Sequence, residues 1–238
     1  MRNIMTIAAR EFTAYFISPM AYVAMFFFLG VCGLIFVLST SAPGASKADM
    51  TGMFHSMVFL TLLMAPVITM GLLAQETNSG TYELLMTKPL RDLEVVMGKW
   101  LGAAGLFVVI LLISLEFPLI YEAFGTPDWG MVLSGYIGIF LTGLAFIAVG
   151  VFSSSLTSNQ IAAWLMGTFM LLFFWLVGWL QYGSTNWLGT LAKSLSVYEN
   201  FGDFERGIVD AKNILYFISL GVFFLFLTVR SLENRRTV

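Results

Sequence analysis

Apolar residues come in six blocks along the chain, at about Ala21 to Thr40, Met53 to Ala74, Trp100 to Tyr121, Met131 to Phe152, Ile161 to Leu180 and Ile214 to Val229. Most approach or exceed the roughly 20 residues that a helix needs to cross a bilayer's hydrocarbon. The runs are continuous and do not alternate with polar residues, which argues for helices and against the strands of a membrane barrel. The first run exceeds a signal-peptide core and is read as a retained helix. The sixth is the shortest and is expected to extend into its polar flanks. Before the first block, Ile4, Met5, Ala8, Phe12, Tyr15 and Phe16 recur at helical spacing, with Arg2, Asn3, Arg10, Glu11 and Thr13 on other faces. That stripe predicts a helix lying in the membrane interface, with Ser18-Pro19 as the bend into the first span. The expected fold is an all-α integral membrane protein of one domain: an interfacial helix over 1–19, a six-helix core over 20–229 and a tail over 230–238.

Composition supports the same class. Of 238 residues, 58% are hydrophobic and 11% charged, with a mean hydropathy of +0.87. A soluble domain carries about 25% charged residues, so a water-soluble globule is excluded. The net charge of -2 offers no basic face for nucleic acid. Arg2, Arg10, Lys88, Arg91, Lys99, Arg230, Arg235 and Arg236 fall on one side of the spans, and Lys47, Lys193, Arg206 and Lys212 on the other. By the positive-inside rule both termini are expected in the cytoplasm. The halves show no tandem repeat, which gives an inverted-repeat secondary transporter no support.

The segments between spans carry the functional signal. After the second block, Ser79-Gly80 is expected to end a helix, Thr81 to cap a short new one with Glu83 in its first turn, Pro89 to stop it, and Asp92 to cap the next. The product is one or two turns that present Leu84, Leu85 and Met86 to the cytoplasm, as a docking knob for a partner or as a patch folded back on the membrane. Ser153 to Gln160, containing Ser155, Thr157 and Asn159, is short and uncharged. It caps two helix ends and offers a second, smaller contact point. Gln181 to Lys212 mixes aromatic and charged residues and predicts two short amphipathic helices at the outer interface, with the break at Phe201-Gly202-Asp203.

Candidate chemistry is sparse. The chain lacks G-x-x-x-x-G-K-[ST], H-E-x-x-H and any Ser-His-Asp set, so neither a P-loop nor a hydrolytic centre is expected, and no metal site. Cys32 is expected to be a buried inert thiol and His55 a solvated loop histidine. Glu116 is the one ionisable residue deep in a span, a buried acid whose default reading is functional. The Pro118 kink offers it freed backbone groups, which favours a structural role.

Glu76-x-x-x-Gly80-Thr81-x-Glu83-Leu84-Leu85-x-Thr87-x-Pro89, followed by Val95-Val96-Met97-Gly98-Lys99, resembles the cytoplasmic segment of ABC-2 type permeases. Arg10-Glu11-Phe12 with Ser18-Pro19, the run Ser153 to Gln160, Phe204-x-Arg206-Gly207-Ile208-Val209-Asp210 and Leu227 to Glu233 look like the subgroup related to the gliding-motility permease subunit. The resemblance implies a bacterial inner-membrane permease without catalysis of its own. It implies a coupling helix around Tyr82 to Met86, re-entrant outer helices, and a separate ABC ATPase that binds ATP and Mg. It also implies a second permease copy or sister subunit, and often an accessory membrane protein with a large outer domain. Ala163 and Gly167, small residues at i, i+4, are the expected dimer contact in the fifth span. Two other readings stay open: a non-transporting anchor or force transmitter driven by the same ATPase, and a secondary transporter.

Overall fold

The computed structural model describes residues 2–41, 50–80, 91–124, 127–183 and 187–236, and no strand occurs among them. Helix α1 (Arg2–Ile17) leads into α2 (Pro19–Ser41), the first span. The second span is α3 (Thr51–Thr69) continued by α4 (Gly71–Asn78), and the third is α5 (Asp92–Ser114) continued by α6 (Glu116–Phe124). The fourth is α7 (Trp129–Leu156), and the fifth is α8 (Gln160–Leu176) with a 3-10 turn at Val177–Gly183. Short helices α9 (Trp187–Leu195) and α10 (Val197–Glu205) precede the sixth span, α11 (Ala211–Arg236), which does extend into its polar flanks. Six helical stretches among the described residues are long and apolar enough to cross a membrane, and they coincide with the six blocks of the sequence.

The helix ends follow local rules. Asp128 Oδ1 accepts from the N–H groups of Gly130 and Met131 to cap α7, and Asn159 Oδ1 accepts from Ile161 and Ala162 to cap α8. Gly80 adopts φ 69°, a left-handed conformation that suits glycine, just after α4 ends. The third span starts one residue earlier than expected. Arg91 is its cap, and its N–H donates to Glu94 Oε2 at 3.3 Å, while Asp92 lies within the first turn.

Span four is the axis of the bundle. Gly135, Gly138, Gly143 and Gly150 along α7 each leave room for a neighbour's side chain: Phe54, Phe204, Phe107 and Thr69 respectively. Apolar helices in lipid gain little from leaving it, so such close approach is what holds them together. Hydroxyls of the same helix fill the breaks in the two long spans. Ser154 Oγ accepts from the N–H groups of Leu73 and Ala74 and donates to the Met70 carbonyl, at the joint between α3 and α4. Tyr136 donates its O–H to the Ser114 carbonyl at 2.8 Å, at the joint between α5 and α6. Pro118, four residues beyond Ser114 and without an N–H, is the reason that carbonyl needs another donor.

This geometry corrects the reading of Glu116. Its side chain is exposed from the bundle, in the first turn of α6, where a carboxylate complements the helix dipole. The backbone group freed by Pro118 goes to Tyr136, which sequence reading did not connect with it. His55 is also corrected: it belongs to α3, and its Nδ1 lies 3.1 Å from Glu205 Oε1, between the rings of Trp175 and Tyr198. The break between α9 and α10 falls at Ser196, whose Oγ accepts from the Glu199 N–H. Gly202 sits inside α10, and Gly207, at φ 84°, follows that helix. Phe201 and Phe204 bury α10 against Gly138 of span four. Cys32 is buried, as expected.

Candidate functional site

Three elements meet where the chain termini lie, and the contact is charged. Lys99, in the second turn of α5, has a side chain only 1% exposed. Its Nζ lies 2.7 Å from Glu76 Oε1 on α4 and 3.2 Å from Glu11 Oε1 on α1. Arg10 Nη2 completes the group, 2.8 Å from Glu11 Oε1 and 3.7 Å from Glu76 Oε1. Two cations and two carboxylates thus balance in a half-buried position, where an unbalanced charge would be costly.

Glycine brings these groups together. Gly98, Gly102 and Gly105 form a flat stripe on α5, and α1 lies against it. A Cβ on Gly98 would come 2.7 Å from Ile7, one on Gly102 2.7 Å from Glu11 Cβ, and one on Gly105 2.9 Å from the Phe12 ring. The docked face of α1 is therefore Ile7, Ala8, Glu11 and Phe12. It is rotated from the stripe expected from the sequence: Ile7, outside that stripe, is buried, and Met5 is 67% exposed. Asn3 Nδ2 donates to Glu94 at 3.3 Å and fixes the start of α1 beside the start of α5. Tyr15, whose phenol burial pushes up in pKa, donates to the Ile68 carbonyl at 2.7 Å, just before the joint in span two.

Burial acts to raise the pKa of the Glu11 carboxyl, but the charges and hydrogen bonds of Lys99 and Arg10 together outweigh it. The group is held below its ordinary 4.5. Hydrogen bonding to Glu11 raises the Arg10 guanidinium further, against desolvation. Helix α1 is thus clamped to the start of span three while the Glu11 carboxylate is ionised.

Of the residues singled out from the sequence for coupling, Glu76 is in this cluster and Gly80 follows Ser79, the C-cap of α4. Thr81, Glu83, Leu84, Leu85, Met86 and Pro89 lie outside the described residues. In the second contact, Ser155 is buried and its carbonyl accepts from Ser231 on α11, while Thr157 and Asn159 sit at the surface of the turn. That leaves Leu156 to Asn159 as the accessible part. The dimer reading of Ala163 and Gly167 needs correction, because both face inward. A Cβ on Gly167 would meet Ser153 Oγ at 2.8 Å and Pro66 Cβ at 3.3 Å, so this small stripe packs span five onto spans two and four of its own chain. The outward side of α8 carries Ile161, Trp164, Leu165, Phe169 and Phe173 instead.

Sequence reading used Lys99 for orientation and as part of a motif, and missed its role as the centre of the cluster. The signal was present: a lysine entering an apolar run has to find a partner. Its two partners are 23 and 88 residues away, beyond any local pattern. No group of His, Cys, Asp and Glu side chains among the described residues has the arrangement of a metal site.

A comparison with curated proteins returns no match. The sequence model of the ABC-2 family transporter proteins matches residues 5–228, which include α1 from its second turn, the first five spans, most of the sixth and the charged cluster. With six apolar helices and a match over nearly its whole length, the chain is a multi-pass membrane protein that belongs to the ABC-2 family, the membrane components of ABC transporters.

Proposed function

We propose that the chain is the permease subunit of an ATP-driven exporter of the bacterial inner membrane, with both termini and the segment 76–99 in the cytoplasm. A separate ABC ATPase binds ATP and Mg and docks on the segment 81–90, chiefly through Leu84, Leu85 and Met86 flanked by Glu83, with a smaller contact at Thr157 to Asn159. The observation that carries this reading is the Lys99 cluster. The docking segment joins α4 to α5, and Lys99, Glu76 and Glu11 tie these two helices to each other and to α1. A push on the segment therefore moves three elements as one body. Two copies, or this chain and a sister, meet through the outward faces of spans one and five, and an accessory membrane protein has α9 and α10 as its nearest surface.

The test is Leu85→Asp, scored by co-purification with the ATPase, ATP turnover of the complex and membrane insertion. A charge placed in an apolar contact should cost about 2 kcal/mol or more of docking energy. Insertion should be intact while co-purification and turnover fall at least tenfold. Wild-type co-purification and turnover would overturn the coupling assignment. For topology, Ser79→Cys and Lys193→Cys in a Cys32→Ser background should differ, with only the latter reacting with an impermeant maleimide from outside. The clamp would equally serve a force-transmitting anchor that moves no cargo. Substrate-stimulated ATP turnover in proteoliposomes distinguishes the exporter from it.

A further inference from the structure

An apolar groove of about 420 Å³ runs along the surface where α5, α7 and α11 meet. Its floor consists of Ala145 on α7 and Gly221 on α11, and a Cβ on Gly221 would lie 3.7 Å from the Ala145 Cα. Trp100 forms one wall, fixed by its indole N–H, which donates to the Leu144 carbonyl at 3.1 Å. Along α11 the lining runs from Phe217 to Val229, about 18 Å of helix axis. One leaflet of a bilayer has about 15 Å of hydrocarbon, half of the whole core. Arg230 follows directly at the end of the groove that lies towards the chain termini. Its guanidinium carbon stands 5.2 Å over the Phe226 ring, its side chain is 62% exposed, and one of its nitrogens is 2.8 Å from Glu233 Oε2.

We propose that this groove holds one acyl chain of an anionic phospholipid, drawn from the leaflet on the terminal side of the bundle, with its phosphate on Arg230. The groove is about one leaflet long, and Arg230, the α11 cation that follows its last lining residue, stands where that leaflet's headgroups begin. A guanidinium carries five N–H donors, so the Glu233 contact leaves others for phosphate oxygens. Electrostatic attraction to the cation selects the anionic lipid. A single hydrocarbon chain matches the groove's length and apolar lining, with the cation at one end for its headgroup.

The experiment is native mass spectrometry of the full chain, purified in mild detergent from membranes holding both zwitterionic and anionic phospholipids. Wild type should retain one phospholipid, enriched in the anionic class. Gly221→Leu fills the groove with its own side chain, and its Cβ would stand in ordinary van der Waals contact with the Ala145 Cα at 3.7 Å, which the fold can accept. Its lipid occupancy should fall at least tenfold. Arg230→Gln should keep a lipid and lose the anionic preference. As a second measurement, brominated acyl chains in nanodiscs should quench a component of tryptophan fluorescence that both Trp100→Phe and Gly221→Leu remove. Unchanged lipid retention and quenching in Gly221→Leu would overturn the site. So would retention of a partner helix, in place of lipid, that Gly221→Leu displaces.

Discussion

The Lys99 ammonium of span three and the Glu76 carboxylate of span two are 2.7 Å apart, nitrogen to oxygen. The contact closes the base of the loop that joins these spans. The lysine side chain is 1% exposed, so it depends on these two carboxylates, Glu76 and Glu11, for its polar contacts. Replacing it with Met should leave Glu76 and Glu11 facing each other and cost about 3 kcal/mol or more. Thermal unfolding in detergent should show the loss, and Lys99→Met combined with Glu76→Gln should recover part of it.

The seating of α1 is open to a separate test. In a Cys32→Ser background, cysteines at Asn3 and Glu94 should crosslink, because these side chains touch in the native chain. Gly102→Leu should abolish the crosslink, since even a Cβ there reaches to 2.7 Å from Glu11. Crosslinking at the wild-type rate would mean that α1 does not depend on the glycine stripe.

The same contact should depend on pH with a definite sign. Glu11 has its pKa lowered in the folded chain, so the stability it supplies is present above its ordinary value of 4.5 and is lost as pH falls through the lowered one. Measured by a spin-label distance between α1 and α5, docking should hold from pH 7 to about 5 and loosen in the acid range below its ordinary value. Glu11→Gln should weaken docking at neutral pH and flatten that part of the profile.

Tyr136→Phe should cost about 1–3 kcal/mol, because it strips the Ser114 carbonyl of its donor while Pro118 withholds the helical one. In a Pro118→Ala background an N–H becomes available four residues on, and the effect of Tyr136→Phe should shrink. A double-mutant cycle on unfolding midpoints reads this coupling. Additive effects would mean that the tyrosine does not serve the break.

Gly167→Leu should lower the stability of a single chain rather than act only on association. Its side chain would collide with Ser153 and Pro66 inside the bundle. Unfolding of the protein reconstituted at high lipid-to-protein ratio, where copies are dilute, separates the two effects. An unaltered midpoint there would return the residue to a contact between copies.

The sequence by itself determined which segments are long and apolar enough to cross a membrane, and some of the helix ends. The break in the outer segment fell at Ser196 and not at Phe201-Gly202-Asp203. Hydrophobic length and continuity, together with residues such as Gly80 and Asn159, are properties of neighbouring positions, and the bilayer requires each spanning backbone to bond within itself. Through the resemblance it carries, the sequence also singled out Glu76 to Lys99, whose two end residues meet in the charged cluster. Only the tertiary structure decided what faces what. Small residues permit close approach without naming the partner, so Gly167 turned to its own chain while Gly98, Gly102 and Gly105 received α1. Freed backbone groups require a donor without saying which, so the carbonyl released by Pro118 went to Tyr136 and left Glu116 outside. Lys99 needed carboxylates, and helices separated by long stretches of chain supplied them, because a buried charge is stabilised by groups brought close in space, whatever their distance in sequence.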